Sequence, residues 1–282
     1  LSGIISAISP ATKIKEDARA AVEAKAIAQN QQINSNNMAT TEEKEDALNQ
    51  VEAHKQAAIA TINQAQSTQQ VSEAKNNGIN TINQDQPNAV KKNNTKTILE
   101  QKGNEKKSAI AQTPDATTEE KQEAVSAVSQ AVTNGITHIN QANSNDDVDQ
   151  ELSNAEQIIT HTNVNVQKKP QARQALIAKT NEKQSAINSD NEGTIEEKQK
   201  AIQSLNDAKN LADEQITQAA SNQNVDNALN IGISNISKIQ TNFTKKQQAR
   251  DQVNQKFQEK EAELNSTPHA TQDEKQDALT RL

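Results

Sequence analysis

The chain has 282 residues, of which 32% are hydrophobic and 1% aromatic, with no Trp, Tyr or Cys and a net charge of −7. So few large apolar side chains exclude a single large core, and the lack of Cys excludes disulfides and thiolate metal sites. The acidic balance and the missing base-stacking aromatics argue against nucleic-acid binding, and no run of ~18 apolar residues offers a membrane span.

Leu, Ile, Val and Phe are scarce enough to approach the composition of disordered chains, but abundant Ala, Lys, Glu and Gln with few Gly and Pro favour helix. No secretory signal opens the chain, and Leu1 stands where a Met would start a complete protein. A helical pattern still runs at Leu282, so the expectation is a segment of something longer.

Residues 1–38 carry the tail of a pattern. Ala18-Arg19, Val22 and Ile33 stand 77 positions before Thr95-Lys96, Leu99 and Ile110. At Ala39 the pattern restarts. Ala39-Thr40-Thr41-Glu42-Glu43-Lys44 returns as Ala116-Thr117-Thr118-Glu119-Glu120-Lys121, as Gly193-Thr194-Ile195-Glu196-Glu197-Lys198 and as Ala270-Thr271-Gln272-Asp273-Glu274-Lys275, each 77 positions after the last. No insertion breaks the register, and chance does not hold it. The expected divisions are 1–38, the C-terminal part of a preceding repeat; three full repeats at 39–115, 116–192 and 193–269; and 270–282, the start of another.

Three helices are expected per repeat. The first opens with Thr-x-x-Glu, the spacing of a capping box: the Thr oxygen accepts from the backbone N–H three residues on, and the Glu reaches back to the Thr N–H. Leu48, Val51, Ala58, Ile62 and Ala65, or Val125, Val128, Val132, Ile139 and Ala142, then mark one apolar stripe along about 25 residues. The second helix is shorter. It carries Val71, Ala74, Gly78 and Ile82, or Val148, Leu152, Ala155 and Ile159, or Val225, Leu229, Gly232 and Ile236. The third carries Ala172, Leu176 and Ile187, or Ala249, Val253, Phe257 and Leu264, and stops before Thr113-Pro114 or Thr267-Pro268.

Three amphipathic helices with one narrow stripe each satisfy one another by packing those stripes together. The expected fold is all-α: tandem three-helix bundles stacked end to end into an elongated rod. Each unit would advance it about 35–40 Å at the ~1.5 Å rise of a helical residue.

Candidate chemistry is sparse. His54, His138, His161 and His269 do not recur at the period, and they pair with neither Cys nor a His four residues away, so they are expected to be structural or surface residues. The recurring Glu42-Glu43-Lys44 cluster is explained better by helix capping and the helix dipole than by acid–base catalysis. The doublets Lys91-Lys92, Lys168-Lys169 and Lys245-Lys246 recur in phase just before the third helix, close to where the second helix ends, and are expected to offset the exposed carbonyls of that C-terminus. The sharper alternative is a ladder of weak sites for anionic polymers or glycans. There is no phosphate-binding loop and no nucleophile elbow. No catalytic, cofactor-binding or metal site is expected, and no enzyme.

The set Ala-Thr-x-Glu-Glu-Lys, Ile-Asn-Gln-Ala (Ile62 to Ala65, Ile139 to Ala142), Gly-Ile-x-x-Ile (Gly78 to Ile82, Gly232 to Ile236) and Lys-Lys-x-x-Ala-Arg (Lys168 to Arg173, Lys245 to Arg250) resembles a repeat family of unknown function, domain fifteen-forty-two, of large staphylococcal wall-associated proteins. The resemblance covers the whole chain. It implies display on a Gram-positive cell wall and a role in adhesion, aggregation or envelope integrity. Two departures, Thr95-Lys96 in place of Ala-Arg and the missing Gly of the second repeat, look like drift.

The expected function is that of a stalk or spacer segment of a large cell-wall adhesin. The alternative is that the repeats themselves bind host matrix or plasma proteins, although the Trp, Tyr and Arg that anchor such interfaces are nearly absent. Expected partners are neighbouring repeats of the same chain, with host extracellular-matrix proteins or anionic wall polymers as further candidates. Nucleic acid and membrane insertion are not expected.

Overall fold

Helix-forming residues, a cap every few tens of positions and one apolar stripe per segment give helices joined by short polar turns. The computed structural model describes residues 2–241 and 243–282, with side chains from Thr12 onward. Among them are eleven α-helices and no strand. They are α1 Ser2–Asn34, α2 Thr41–Gln64, α3 Thr68–Gln84, α4 Lys91–Ala111, α5 Thr118–Gln141, α6 Asn145–His161, α7 Lys168–Ser189, α8 Ile195–Gln218, α9 Asn222–Lys238, α10 Lys245–Asn265 and α11 Gln272–Arg281. The chain divides into two compact units, Leu1–Gln112 with Glu123–Asn163, and Thr113–Gln122 with Val164–Leu282.

In the first unit α1, α2 and α3 all contact one another around Val22, Ile33, Val51, Ile62, Val71 and Ile82. A second triplet follows. There α4 packs on α6, and α5 meets both through Gly103 against Val132 and Gly135 against Leu99 and Ala155. In the second unit α7, α8 and α9 contact one another around Leu176, Ile187, Leu205, Ile216, Val225 and Ile236. The fold is thus a series of tandem helical bundles.

The triplets keep the 77-residue period but begin one helix earlier than a cut at Ala39. The helix expected to close one repeat packs with the two helices that follow it. Residues 39–115 therefore straddle two bundles, because the turn at 35–40 folds α2 back onto α1.

The apolar stripes are mostly where periodicity puts them, but they are thin. Ala47 and Ala124 are buried, whereas Leu48, Val125, Val132, Leu152 and Leu229 sit half-buried at the edges. On α10 the expected core positions are open: Val253 is 68% and Phe257 44% exposed. The physical reason is that the preceding bundle meets only the start of α10, at Asn191, Glu192 and Glu197, and beyond that start the short α11 is the helix packed on it among the described residues.

Small residues set the closest helix approach. A Cβ placed on Gly135 of α5 would stand 2.6 Å from Leu99 Cδ2 and 2.7 Å from Ala155 Cβ of α6. In the first and third bundles the same crossing is made by Ala58 of α2 on Gly78 of α3, and by Ala212 of α8 on Gly232 of α9. Each bundle spends one Gly and one Ala there, but the middle bundle carries them on exchanged helices. The missing Gly of the second repeat is therefore not drift. Ala155 is matched by Gly135, which keeps the crossing volume constant.

Candidate functional site

The polar residues that recur in phase converge where one bundle meets the next helix of the chain. In the first unit this junction is built from the start of α2. Thr40 is fully buried; its Oγ1 accepts from Glu43 N–H at 3.4 Å and donates to Asn145 Oδ1 at 2.9 Å. Thr41 N–H donates to Asn143 O at 2.9 Å, and Asn145 N–H donates to Glu42 Oε2 at 2.9 Å. The α3–α4 connection lies against the same helix start.

Glu43 divides its carboxylate. Oε2 accepts from Thr40 N–H at 2.9 Å and completes the capping box. Oε1 accepts from Val90 N–H at 2.9 Å and Lys91 N–H at 2.8 Å, the first N–H groups of α4. A helix start leaves such N–H groups unpaired. The N-cap of α4, Val90, has no side-chain acceptor to offer them. The preceding bundle supplies it.

The second unit contains the same construction 77 residues later. Thr117 Oγ1 donates to Asn222 Oδ1 at 2.7 Å, Thr118 N–H to Ala220 O at 2.8 Å and Asn222 N–H to Glu119 Oε2 at 3.0 Å. Glu120 closes its own box on Thr117 N–H at 2.8 Å, and its other oxygen accepts from Gln167 and Lys168 N–H, both at 2.8 Å.

Burial raises the pKa of Glu43 and is the largest single influence, but the hydrogen bonds from Lys91, Thr40 and Val90 together outweigh it and hold the carboxyl below the ordinary glutamate value. Glu120 has the same balance. Glu197 is held low mainly by Thr194, with a contribution from Lys245 N–H at the start of α10. Glu274 is held low by Thr271 alone.

The lysine doublets belong to the same junctions. Lys91 pairs with Asp149 at 2.6 Å and Lys168 with Asp226 at 2.7 Å. Lys92 and Lys169 are 3% and 5% exposed. Lys92 Nζ donates to Asn37 O and Asn140 O at 3.0 and 2.9 Å, and Lys169 Nζ to Thr217 O at 2.6 Å. The helix C-terminal carbonyls they serve are those of α5 and α8, not those of α3 and α6, the helices that precede them in the chain, because the start of α4 or α7 packs against the end of the helix that follows it. Burial, with Lys44 nearby, pushes the Lys92 ammonium pKa down. These four cations are committed to internal contacts and do not make a free ladder for polyanions.

The histidines do not come together. His161 Nδ1 lies 2.7 Å from Gln157 O, and His269 occupies an exposed turn at φ 66°. His138 lies 3.3 Å from Glu151 beside a shallow groove lined by Ala127, Ala131, Gly135, Ala155 and Ile158. His54 has a partner that periodicity did not reveal: its Nδ1 is 2.9 Å from both carboxylate oxygens of Asp85, whose side chain is 5% exposed. Gln29 Nε2 donates to Asp85 O at 2.6 Å. The available signal is that both positions depart in the same repeat, with Ala131 and Ala208 in place of His54 and Thr162 and Ile239 in place of Asp85. Among the described residues no three of His, Cys, Asp and Glu are grouped to hold a metal ion, and no helix is long and apolar enough to cross a membrane.

Residues 14–90, 91–167, 168–244 and 245–282 match, one after another, the family described as Domain of Unknown Function (DUF1542). The chain belongs to this family. The first three DUF1542 matches coincide with the three packed triplets, and the fourth covers α10 and α11. The extracellular matrix-binding protein EbhA of Staphylococcus aureus strain Newman is 26% identical over 230 residues, 81% of this chain and 7% of that protein. EbhA of strain Mu3 is 24% identical over 229 residues, 81% of this chain and 3% of that protein. The extracellular matrix-binding protein ebh of strain JH9 matches at 24% over 229 residues, 81% of this chain and 2% of that protein. The chain thus spans a small fraction of the length of these large relatives. No solved structure matches it.

Proposed function

We propose that this DUF1542 array is a spacer segment of a large staphylococcal surface adhesin, presenting other parts of that protein outside the cell and taking no part in catalysis. The observation that carries this reading is the junction. The side chains that recur in strict phase, Thr40, Glu42, Glu43, Lys91 and Lys92 with their counterparts, are spent on joining one bundle to the next. In a binding array the recurring residues would instead face outward. The near-absence of aromatic anchors supports the same conclusion.

Small-angle scattering tests the spacer directly. The expected result is an elongated particle with the cross-section of one three-helix bundle, together with weak or no capture of fibronectin, fibrinogen or glycosaminoglycans. The second reading, in which the repeats bind host matrix themselves, is favoured by the names of the relatives, which are extracellular matrix-binding proteins. Micromolar or tighter binding of a matrix protein by this chain would replace the first reading with the second.

A further inference from the structure

The junction glutamates hold two helix starts at once, and that suits them to a second task. The N-caps of α4 and α7, Val90 and Gln167, provide no side-chain acceptor. The first N–H groups of these helices are capped by Glu43 and Glu120, which belong to the preceding bundle. We propose that Glu43 and Glu120 are acid-releasable couplers, each making the start of one bundle depend on the folded end of the bundle before it, so that neighbouring repeats unfold together at neutral pH and separately once these carboxylates are protonated.

The chemistry requires the ionised form. Three hydrogen bonds are accepted by each carboxylate: one from the glutamate's own box on one oxygen and two from N–H groups of the next helix on the other. A protonated carboxyl presents an O–H where an acceptor is needed, and a Gln presents an NH₂. Either puts a donor against donors at one of the two ends.

The charged groups around Glu43 are Glu42 and Lys44 on α2, Lys91, Lys92 and Lys96 on α4, and Asp149 on α6, which takes the Lys91 ammonium. Around Glu120 they are Glu119 and Lys121 on α5, Lys168, Lys169 and Arg173 on α7, Asp226 on α9, and Asp115 in the preceding turn. The nearest cations on α4 and α7 are themselves paired or buried, so the backbone N–H groups are the direct partners of each glutamate.

Both carboxyl groups are held below their ordinary value in the folded chain. Their contribution is therefore complete above the unfolded glutamate pKa of about 4.3 and is lost as the pH falls from there through the folded value. This inference does not rest on the spacer reading, because coupling between repeats can be present or absent whatever the array binds.

The test uses the whole chain and the double variant Glu43→Gln/Glu120→Gln. Gln is accepted at the third position of a capping box, so α2 and α5 still start and the variant folds. Hydrogen exchange at pH 7 should quicken by about tenfold or more at the amides of Val90, Lys91, Gln167 and Lys168, while the core amides of α2 and α5 stay protected. Urea unfolding should change from one steep transition to a shallower or stepwise one, and the wild type should keep its steepness down to about pH 4.3 and show the same loss as the pH is lowered from there through the depressed values of Glu43 and Glu120. Unchanged exchange at those four amides, or an equally steep transition in the variant, would overturn the proposal. If scattering shows a compact particle while the variant still loses its steepness, the spacer reading fails and the coupling stands.

Discussion

The junction built around Glu43 and the one built around Glu120 share the same Thr, Asn and Glu contacts, the same Lys–Asp pair and a buried Lys on a helix-end carbonyl, and they differ most in one ion network. At the second, Arg173 forms a two-pronged pair with Asp115, at 3.0 and 3.1 Å, and also reaches Asp213 at 3.0 Å and Thr217 Oγ1 at 2.9 Å. At the first, Lys96 stands at the position of Arg173 and Met38 at that of Asp115. Farther along, Arg250 pairs with Glu192, restoring the bridge. The buried part of the junction is thus constant and the exposed part varies. That is the order expected if buried hydrogen bonds supply the coupling while surface ion pairs adjust it.

Breaking the constant part should have the largest effect. Thr40→Val or Thr117→Val removes a helix cap, puts an apolar group at a buried polar position and leaves a half-buried Asn oxygen without its donor. Either variant should cost about 2 kcal/mol in urea unfolding, and the two should cost nearly the same. A much smaller loss at one of them would mean that the junctions are not equivalent after all.

The close crossing inside the middle bundle comes next. Gly135→Ala should cost about 1–3 kcal/mol because Ala155 cannot give way as a long side chain would. Adding Ala155→Gly recreates the arrangement of the neighbouring bundles and should recover most of the loss. A similar cycle separates the first bundle from the others. His54→Ala leaves the Asp85 carboxylate buried without its partner and should cost about 1–2 kcal/mol, and Asp85→Ile in the same chain, copying Ala208 and Ile239, should restore stability.

The smallest effect is expected at the variable part. Arg173→Lys loses the fork that fits Asp115 and should cost below about 1 kcal/mol, since the carboxylate is 45% exposed. Installing the bridge at the first junction with Lys96→Arg and Met38→Asp should gain a similar amount, and the gain should fade in high salt.

Much of this is legible in the sequence. The 77-residue period, three helices per repeat, and the capping boxes at Thr40, Thr117, Thr194 and Thr271 all follow from local spacing, and all are present. What the sequence conceals depends on partners distant along the chain. The box predicts one oxygen of Glu43 but says nothing of the other, whose partners are Val90 and Lys91. The phase of the bundle is concealed for the same reason: periodicity fixes the length of a unit but not which three consecutive helices pack together. The exchanged Gly and Ala at positions 135 and 155 look like noise until α5 and α6 are known to cross there. His54 looks solitary until Asp85 is brought beside it.

The claim beneath all of this is that the junction holds successive bundles in one arrangement, and distances between spin labels across it test that most directly. The chain has no cysteine of its own, so Asn76→Cys on α3 and Asn104→Cys on α4, both exposed, provide one clean pair. At neutral pH the expected result is a single narrow distance distribution that broadens when Thr40→Val is added. A distribution that is already broad without that substitution would contradict a fixed junction.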